Sequence, residues 1–237
     1  MLKKPIKSQN YIKILEDKIP KNFFETLSWS QSRFVCGFDE AGRGCLAGPV
    51  VAAAVVLPVG ADFLLLKDSK KLSEKQRLDA FSWIKQNCWY SFAMSDAWII
   101  DKVNILEATK LAMQKAFLQL LASFEPGVKK LGCAVIDAVK VDLRQCHANI
   151  VEDFKMFNPC KAEDISSSVA AASIVAKVMR DSIVTESSQF FKGYNFAQHK
   201  GYGTQAHIDK ILSYGASILH RTKFVGTALN TLEQKNV

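Results

Sequence analysis

With 237 residues, 49% of them hydrophobic and 23% charged, the chain has the composition of an ordinary globular protein with one full core. Its longest unbroken apolar run, residues 50–57, is far too short for a helical membrane span. Thirty-one basic against 23 acidic residues leave a net charge of +8, which suits a polyanionic partner and by itself excludes little.

Residues 1–33 are rich in Lys, show no clear period and read as an N-terminal extension with room for one short helix. They contain no apolar signal segment, so a cytoplasmic location is expected. Residues 34–38 read as a strand ending at Asp39. Residues 50–57 are short, partly β-branched and bounded by Pro49 and Pro58, the pattern of a buried strand. Ser73 with Gln76 three residues on has capping-box spacing and starts a helix. "WYSFAMS" at 89–95 reads as a third strand. Residues 104–124 form an amphipathic helix stopped by Pro126 and Gly127. Residues 131–136 are a strand that ends at Asp137, and 138–165 read as irregular.

"SSSVAAASIVAKVMRDSIV" is an apolar helix with serines at its start and Val169, Ala172, Ala176 and Met179 at helical spacing. A Gly/Tyr/His-rich loop and one or two short helices follow from Ser187. Strands and helices interleave, so the class is α/β. The six cysteines, at 36, 45, 88, 133, 146 and 160, form no CxxC pair and read as free thiols, mostly buried.

The stretch "CGFDEAGRGCLAGPVVAAAVVLP" at 36–58 sets two carboxylates, Asp39 and Glu40, beside a glycine turn. Gly42, Gly44 and Ala47 match the spacing of a dinucleotide-binding fingerprint. That fingerprint must open a helix onto a pyrophosphate, whereas here Pro49 and a strand follow and two negative charges precede. Carboxylates and phosphates share a site when divalent cations lie between them, and Mg2+ prefers such oxygen ligands. Asp137 closes another apolar strand; if the two strands are parallel neighbours, the acids emerge at one edge of the sheet. Successive strand residues face opposite sides, so Glu40 joins Asp39 only if the chain turns at once, which Gly42 and Gly44 allow. Read alone, an Asp-Glu pair at a strand end is equally a solvated turn, and spacing leaves both readings open.

"DEAGRG" with "LAGPVVAAAV" resembles the signature of the bacterial ribonuclease HII family, the type 2 ribonucleases H. "DSKKLSEKQR" at 68–77, "NILEATKLAMQKA" at 104–116, "AASIVAKVMRD" at 171–181 and "FAQHKGYGT" at 196–204 agree with it in order, over about residues 34–226. The resemblance implies the ribonuclease H-like fold, a mixed central sheet flanked by helices with a small helical C-terminal part. It divides the chain into an extension at 1–33, a catalytic domain at 34–226 and a tail at 227–237.

It also implies a monomeric endonuclease that cleaves the RNA strand of RNA–DNA hybrids and nicks at ribonucleotides embedded in duplex DNA. Two metal ions, Mg2+ or Mn2+, assist, and the ends left are 5′-phosphate and 3′-hydroxyl. By the same resemblance Asp39, Glu40, Asp137 and Glu163 are the metal-binding acids. Gly42, Arg43 and Gly44 contact the ribose 2′-hydroxyl through their backbone, and Tyr202 stacks on the sugar of the next deoxynucleotide. Type 3 ribonucleases H share the chemistry but carry a larger N-terminal domain and a different glycine turn.

The chain departs from the family pattern at Ala138, where Gly is usual, in a longer segment after Asp137, in "GYNF", and at Glu163, where Asp is usual. Glu163 is taken as the fourth acid, with Asp164 the alternative and a cap on the following helix the use left for the other. Lys70 and Lys71 suit phosphate contact or a solvated face alike; Lys177 and Arg180 are expected to pair locally with Asp181. His199, His207 and His220 receive no catalytic or metal role.

Overall fold

A computed structural model describes residues 19–61, 63–67, 69–124, 130–137, 139–143 and 154–235. Ala138, Cys146, the Pro126–Gly127 stop and residues 1–18 of the expected extension lie outside the described residues.

Five strands form one mixed sheet in the order β3-β2-β1-β4-β5. They are β1 (Arg33–Ala41), β2 (Val50–Val56), β3 (Trp89–Ser95), β4 (Lys130–Ile136) and β5 (Lys155–Phe157). β2 pairs antiparallel with β1 and β3, while β4 runs parallel to β1 and to β5. Two features of the sheet depart from the sequence reading, and so do two short helices, Ala97–Val103 and Ala162–Ile165, in segments read without them. β1 does not end at Asp39 but pairs with β2 as far as Ala41 opposite Val51, because the partner strand extends the ladder past the acids. The segment expected to be irregular contributes β5, whose three residues are too few to carry a period.

β2 is buried on both faces, which is why it reads as a continuous apolar run. On one face Phe38, Ala52, Ala54 and Val56 pack against Ala112, Met113, Ala116, Phe117 and Leu120 of a long helix. On the other, Ala53 and Val55 meet Ala171, Ala172, Ile174 and Val175 of a second helix, with Ala80 and Ile84 of a third.

Among the described residues the α-helices are, in chain order, α1 (Phe23–Ser30), α2 (Glu74–Asn87), α3 (Ala97–Val103), α4 (Ile105–Ser123), α5 (Ala162–Ile165), α6 (Ser167–Ser187), α7 (Phe196–His199), α8 (Gln205–Tyr214) and α9 (Thr222–Lys235). Both halves of the Ser73–Gln76 capping box form at α2. Asn104 has φ 74°, which separates α3 from α4, and its Oδ1 accepts from the N–H groups of Leu106 and Glu107 at 2.9 and 3.1 Å. Residues 227–235, expected to be part of a tail, continue α9.

α6 crosses β1 so closely that a Cβ on Gly37 would lie 2.2 Å from the Ser168 carbonyl carbon. Its N-terminus is capped by Ser166, and Glu25 of α1 accepts from Ser166 Oγ at 2.5 Å and from the Ser168 N–H at 2.9 Å. α1 thus fastens the helix that runs under the acids.

Candidate active site

β1 and β4, side by side and parallel, end together. Phe38 stands opposite Ile136, and the Asp137 N–H donates to the Phe38 carbonyl at 3.3 Å. Asp39 and Asp137 therefore share the carboxyl edge of the sheet. Strand alternation turns Asp39 toward α6, where the nearby Ser173 hydroxyl, itself 2.7 Å from Ser69 Oγ, favours its ionised form, and sends Glu40 to the other side. The immediate turn expected after Asp39 does not occur, yet both carboxylates remain within electrostatic reach of Asp137.

Burial pushes the Asp39 carboxyl well above the ordinary carboxylate range, and the charges of Glu40 and Asp137 push the same way against a hydrogen bond from the Glu40 N–H at 2.7 Å. Burial also raises Glu40, opposed by Arg43, whose Nη1 lies 3.2 Å from Oε1. Glu40 Oε2 is buried and accepts no hydrogen bond. Like charges held together at this half-buried edge suit the binding of positive charge.

Asp137 Oδ1 accepts from the Ala162 N–H at 3.1 Å, which seats α5, and with it Glu163, beside the edge. Oε2 of Glu163 is buried. Asp164 is exposed and pairs with Lys71 at 2.8 Å on the surface. The cap of α6 is supplied by Ser166 and Glu25, so neither acid is used there. Among the described residues no three His, Cys, Asp or Glu side chains are gathered as a ready-made metal cage. The carboxylates instead take local donors: the Glu40 N–H, Arg43 and the Ala162 N–H.

Next to the acids, the turn at 42–49 is held from below by two fully buried arginines, Arg180 and Arg221. Arg180 donates to the carbonyls of Ala47, Pro49 and Lys200, and Arg221 to those of Gly42, Arg43 and Gly48. Arg180 lies only 3.9 Å from Asp181, while Lys177 makes the close pair with that acid at 2.9 Å. Gly42 has φ 93° and packs on Arg180, whereas a Cβ on Gly44 would meet nothing within 4 Å. The Arg43 side chain is partly exposed and turns back to Glu40.

Tyr202 is 41% exposed, with Lys177 Nζ 5.2 Å and Arg180 Cζ 5.6 Å from its ring centroid. Three buried histidines support its loop. The Ser217 N–H donates to His220 Nδ1 at 2.9 Å, His220 Nε2–H to His207 Nε2 at 3.1 Å, and His207 Nδ1–H to the Tyr202 carbonyl at 2.9 Å. His199 stacks on His207 with centroids 4.1 Å apart.

Sequence reasoning missed Ser173, Arg221 and the carbonyl clamp of Arg180. A polar residue on the buried face of an apolar helix was the available signal for Ser173; Arg221 carried none.

The sequence profile of the ribonuclease HII family matches residues 36–227. The chain belongs to the ribonuclease HII family. The ribonuclease HII of Ruminiclostridium cellulolyticum is 48% identical over 193 residues, 81% of this chain and 70% of that protein. The structure of a PCNA complex of ribonuclease HII from Archaeoglobus fulgidus superimposes with a TM-score of 0.61 at 25% identity, over 80% of this chain and 94% of that one. Bst-RNase HIII, solved in complex with Mn2+, superimposes with a TM-score of 0.64 at 19% identity, over 89% of this chain and 74% of that one, a likeness of fold alone. As a member of the ribonuclease HII family the chain is a nuclease, a hydrolase acting on RNA–DNA hybrids, and metal dependence is typical of that family. No described helix is long and apolar enough to cross a membrane.

Hard oxygen donors on Asp39, Glu40, Asp137 and Glu163, with Glu40 Oε2 buried and accepting no hydrogen bond, fit Mg2+ or Mn2+ and give a softer metal no thiolate or imidazole.

Proposed function

We propose that this ribonuclease HII nicks the strand at ribonucleotides embedded in duplex DNA, as well as cutting hybrids, with two divalent cations held by Asp39, Glu40, Asp137 and Glu163. The observation that carries the reading is the meeting of Asp39 and Asp137 at one sheet edge beside a turn whose Gly44 faces open space. Mg2+ or Mn2+, when bound, supplies a water nucleophile at neutral pH and stabilises the leaving oxygen.

The protein's own residues orient and select. The Ala162 N–H fixes Asp137, and the Ser173 hydroxyl lies beside Asp39. Gly42, Arg43 and Gly44 offer backbone donors to the ribose 2′-hydroxyl, the group that separates RNA from DNA. Tyr202 gives an aromatic surface to the following sugar, backed by Lys177 and Arg180. In this reading residues 34–226 form the catalytic unit, acting as a monomer in the cytoplasm.

End-group analysis of the products tests the chemistry. A 5′-phosphate that ligates directly, with a 3′-hydroxyl that primes synthesis, is expected. A 2′,3′-cyclic phosphate would mean attack by the ribose itself and would remove the activated water from the account.

A further inference from the structure

Arg221 sits just before α9; its guanidinium lies over the Phe224 ring, 5.3 Å from the centroid, and gives its hydrogen bonds to backbone carbonyls. Nε and Nη2 donate to the Gly48 carbonyl at 3.0 and 2.9 Å, Nη1 to Arg43 at 2.8 Å, and Nη2 also to Gly42 at 2.7 Å. Docking the segment does not require this. The Arg221 N–H already bonds the Leu46 carbonyl at 2.8 Å, and His220 bridges to Ala47. Asp101, whose charge Arg221 feels, gives its oxygens to the N–H groups of Thr222 and Lys223 at 2.7 and 3.3 Å. Burial pushes Arg221 down to about 10, so the protein holds a strained cation where an apolar side chain would fill the volume.

What the guanidinium does control is the direction of two peptide planes. Each trans peptide sets its N–H opposite its C=O, and the described chain has no cis peptide. The Gly42 carbonyl shares a plane with the Arg43 N–H, and the Arg43 carbonyl shares one with the Gly44 N–H. Both carbonyls turn inward to Arg221, so both N–H groups turn outward, beside the open space at Gly44.

We propose that Arg221 is the positioning residue for sugar recognition: by holding the Gly42 and Arg43 carbonyls inward, it aims the N–H groups of Arg43 and Gly44 at the ribose 2′-hydroxyl. The inference rests on the reading of this turn given under the proposed function. It assigns Arg221 no contact with substrate and no part in metal binding.

The test is a binding comparison in an Asp137→Asn background, in which cleavage is silent. Two duplexes of one sequence are titrated, one with a single ribonucleotide and one all DNA. Arg221→Met should cost the ribonucleotide duplex about tenfold or more while leaving the all-DNA duplex little changed. Arg221→Lys should restore part of the preference. If both variants keep the parent's preference, the proposal is wrong. Should Arg221→Met fail to fold, Arg221→Lys is compared with Met113→Ala, a core variant, at temperatures equally far below their melting points. A smaller preference in Arg221→Lys alone supports the role; equal preferences overturn it. Gly44→Ala, which meets nothing in the fold, checks the turn itself. If it keeps the preference, or the parent has none, the reading of the turn falls. If it loses the preference while the Arg221 variants keep it, only the role of Arg221 falls.

Discussion

Arg180 occupies the space a side chain at Gly42 would need: a Cβ there would stand 1.9 Å from Nε and 2.4 Å from Cδ. The same arginine is buried, bonds the carbonyls of Ala47, Pro49 and Lys200, and lies against the Tyr202 ring. Gly42 is therefore fixed twice, by its φ of 93° and by contact with a side chain that cannot move freely. Gly42→Ala should lower stability by about 1–3 kcal/mol and reduce cleavage at 25 °C, where the variant is still folded. Thermal unfolding and cleavage rates measured together check this; a variant with unchanged melting point contradicts the contact.

Asp39→Asn should end cleavage and, in EDTA, raise the melting temperature. The sign follows from burial and like charges. A carboxyl raised in the folded state favours folding while protonated, and that advantage is lost as pH rises from the ordinary carboxylate range through the raised value. Above the ordinary carboxylate range the buried Asp39 carboxyl, crowded by Glu40 and Asp137, is a cost that Asn removes. Calorimetry in EDTA reads it, and a lower melting point for Asp39→Asn would show that the carboxylate is not strained.

Glu163→Gln should lose most activity, and Asp164→Asn little. Asp164 holds a surface pair with Lys71, of a kind worth about 0–1 kcal/mol, whereas Glu163 follows the residue whose N–H binds Asp137. Glu reaches roughly 1–1.5 Å further than Asp, so Glu163→Asp tests the reach as well as the charge. Steady-state rates at saturating Mg2+ separate the two; the opposite ranking would transfer the role to Asp164.

Tyr202→Ala should weaken action at RNA–DNA junctions more than on long hybrids, by a factor near the low end of the roughly 1–3 kcal/mol that aromatic stacking supplies. Tyr202→Phe should retain most of the effect, since the proposed contact uses the ring and not the hydroxyl. Equal losses on both substrates would assign Tyr202 a structural role only.

The histidine chain predicts a pH dependence. Burial lowers His207 to about 4 and lowers His220 as well. Both lie below the value in the unfolded chain, so the unfolded state takes up protons first and stability falls as pH drops from about 6.5 toward 4. The groups facing this chain are His199, stacked on His207, the Tyr202 carbonyl and Ser217, with no carboxylate among those contacts. Melting curves between pH 7 and pH 5 should show a steeper loss in the parent than in His207→Gln. Parallel curves would show that His207 does not titrate in this range.

The elements legible in the sequence were those whose signals are local. The Ser73–Gln76 box, the apolar run of β2 and the period of α6 each lie within one segment. The Lys177–Asp181 pair, four residues apart on a helix, was equally readable. What escaped depends on distant partners. β1 runs on to Ala41 because β2 pairs it there, and β5 exists because β4 offers an edge. Asp39 and Asp137 could be named from the family pattern, but their meeting depends on parallel pairing of strands almost 100 residues apart. Arg221 is the extreme case: its partners lie 173 to 179 residues earlier, and nothing local marks it.

The most direct measurement is cleavage of one DNA duplex carrying a single ribonucleotide, in Mg2+ or Mn2+ and in EDTA, beside the same duplex without the ribonucleotide. The account predicts a single metal-dependent nick at the ribonucleotide, no cut in the all-DNA duplex, and no product from Asp39→Asn or Asp137→Asn. Cleavage that persists in EDTA, or near-normal turnover of either Asn variant in ordinary Mg2+, would contradict it.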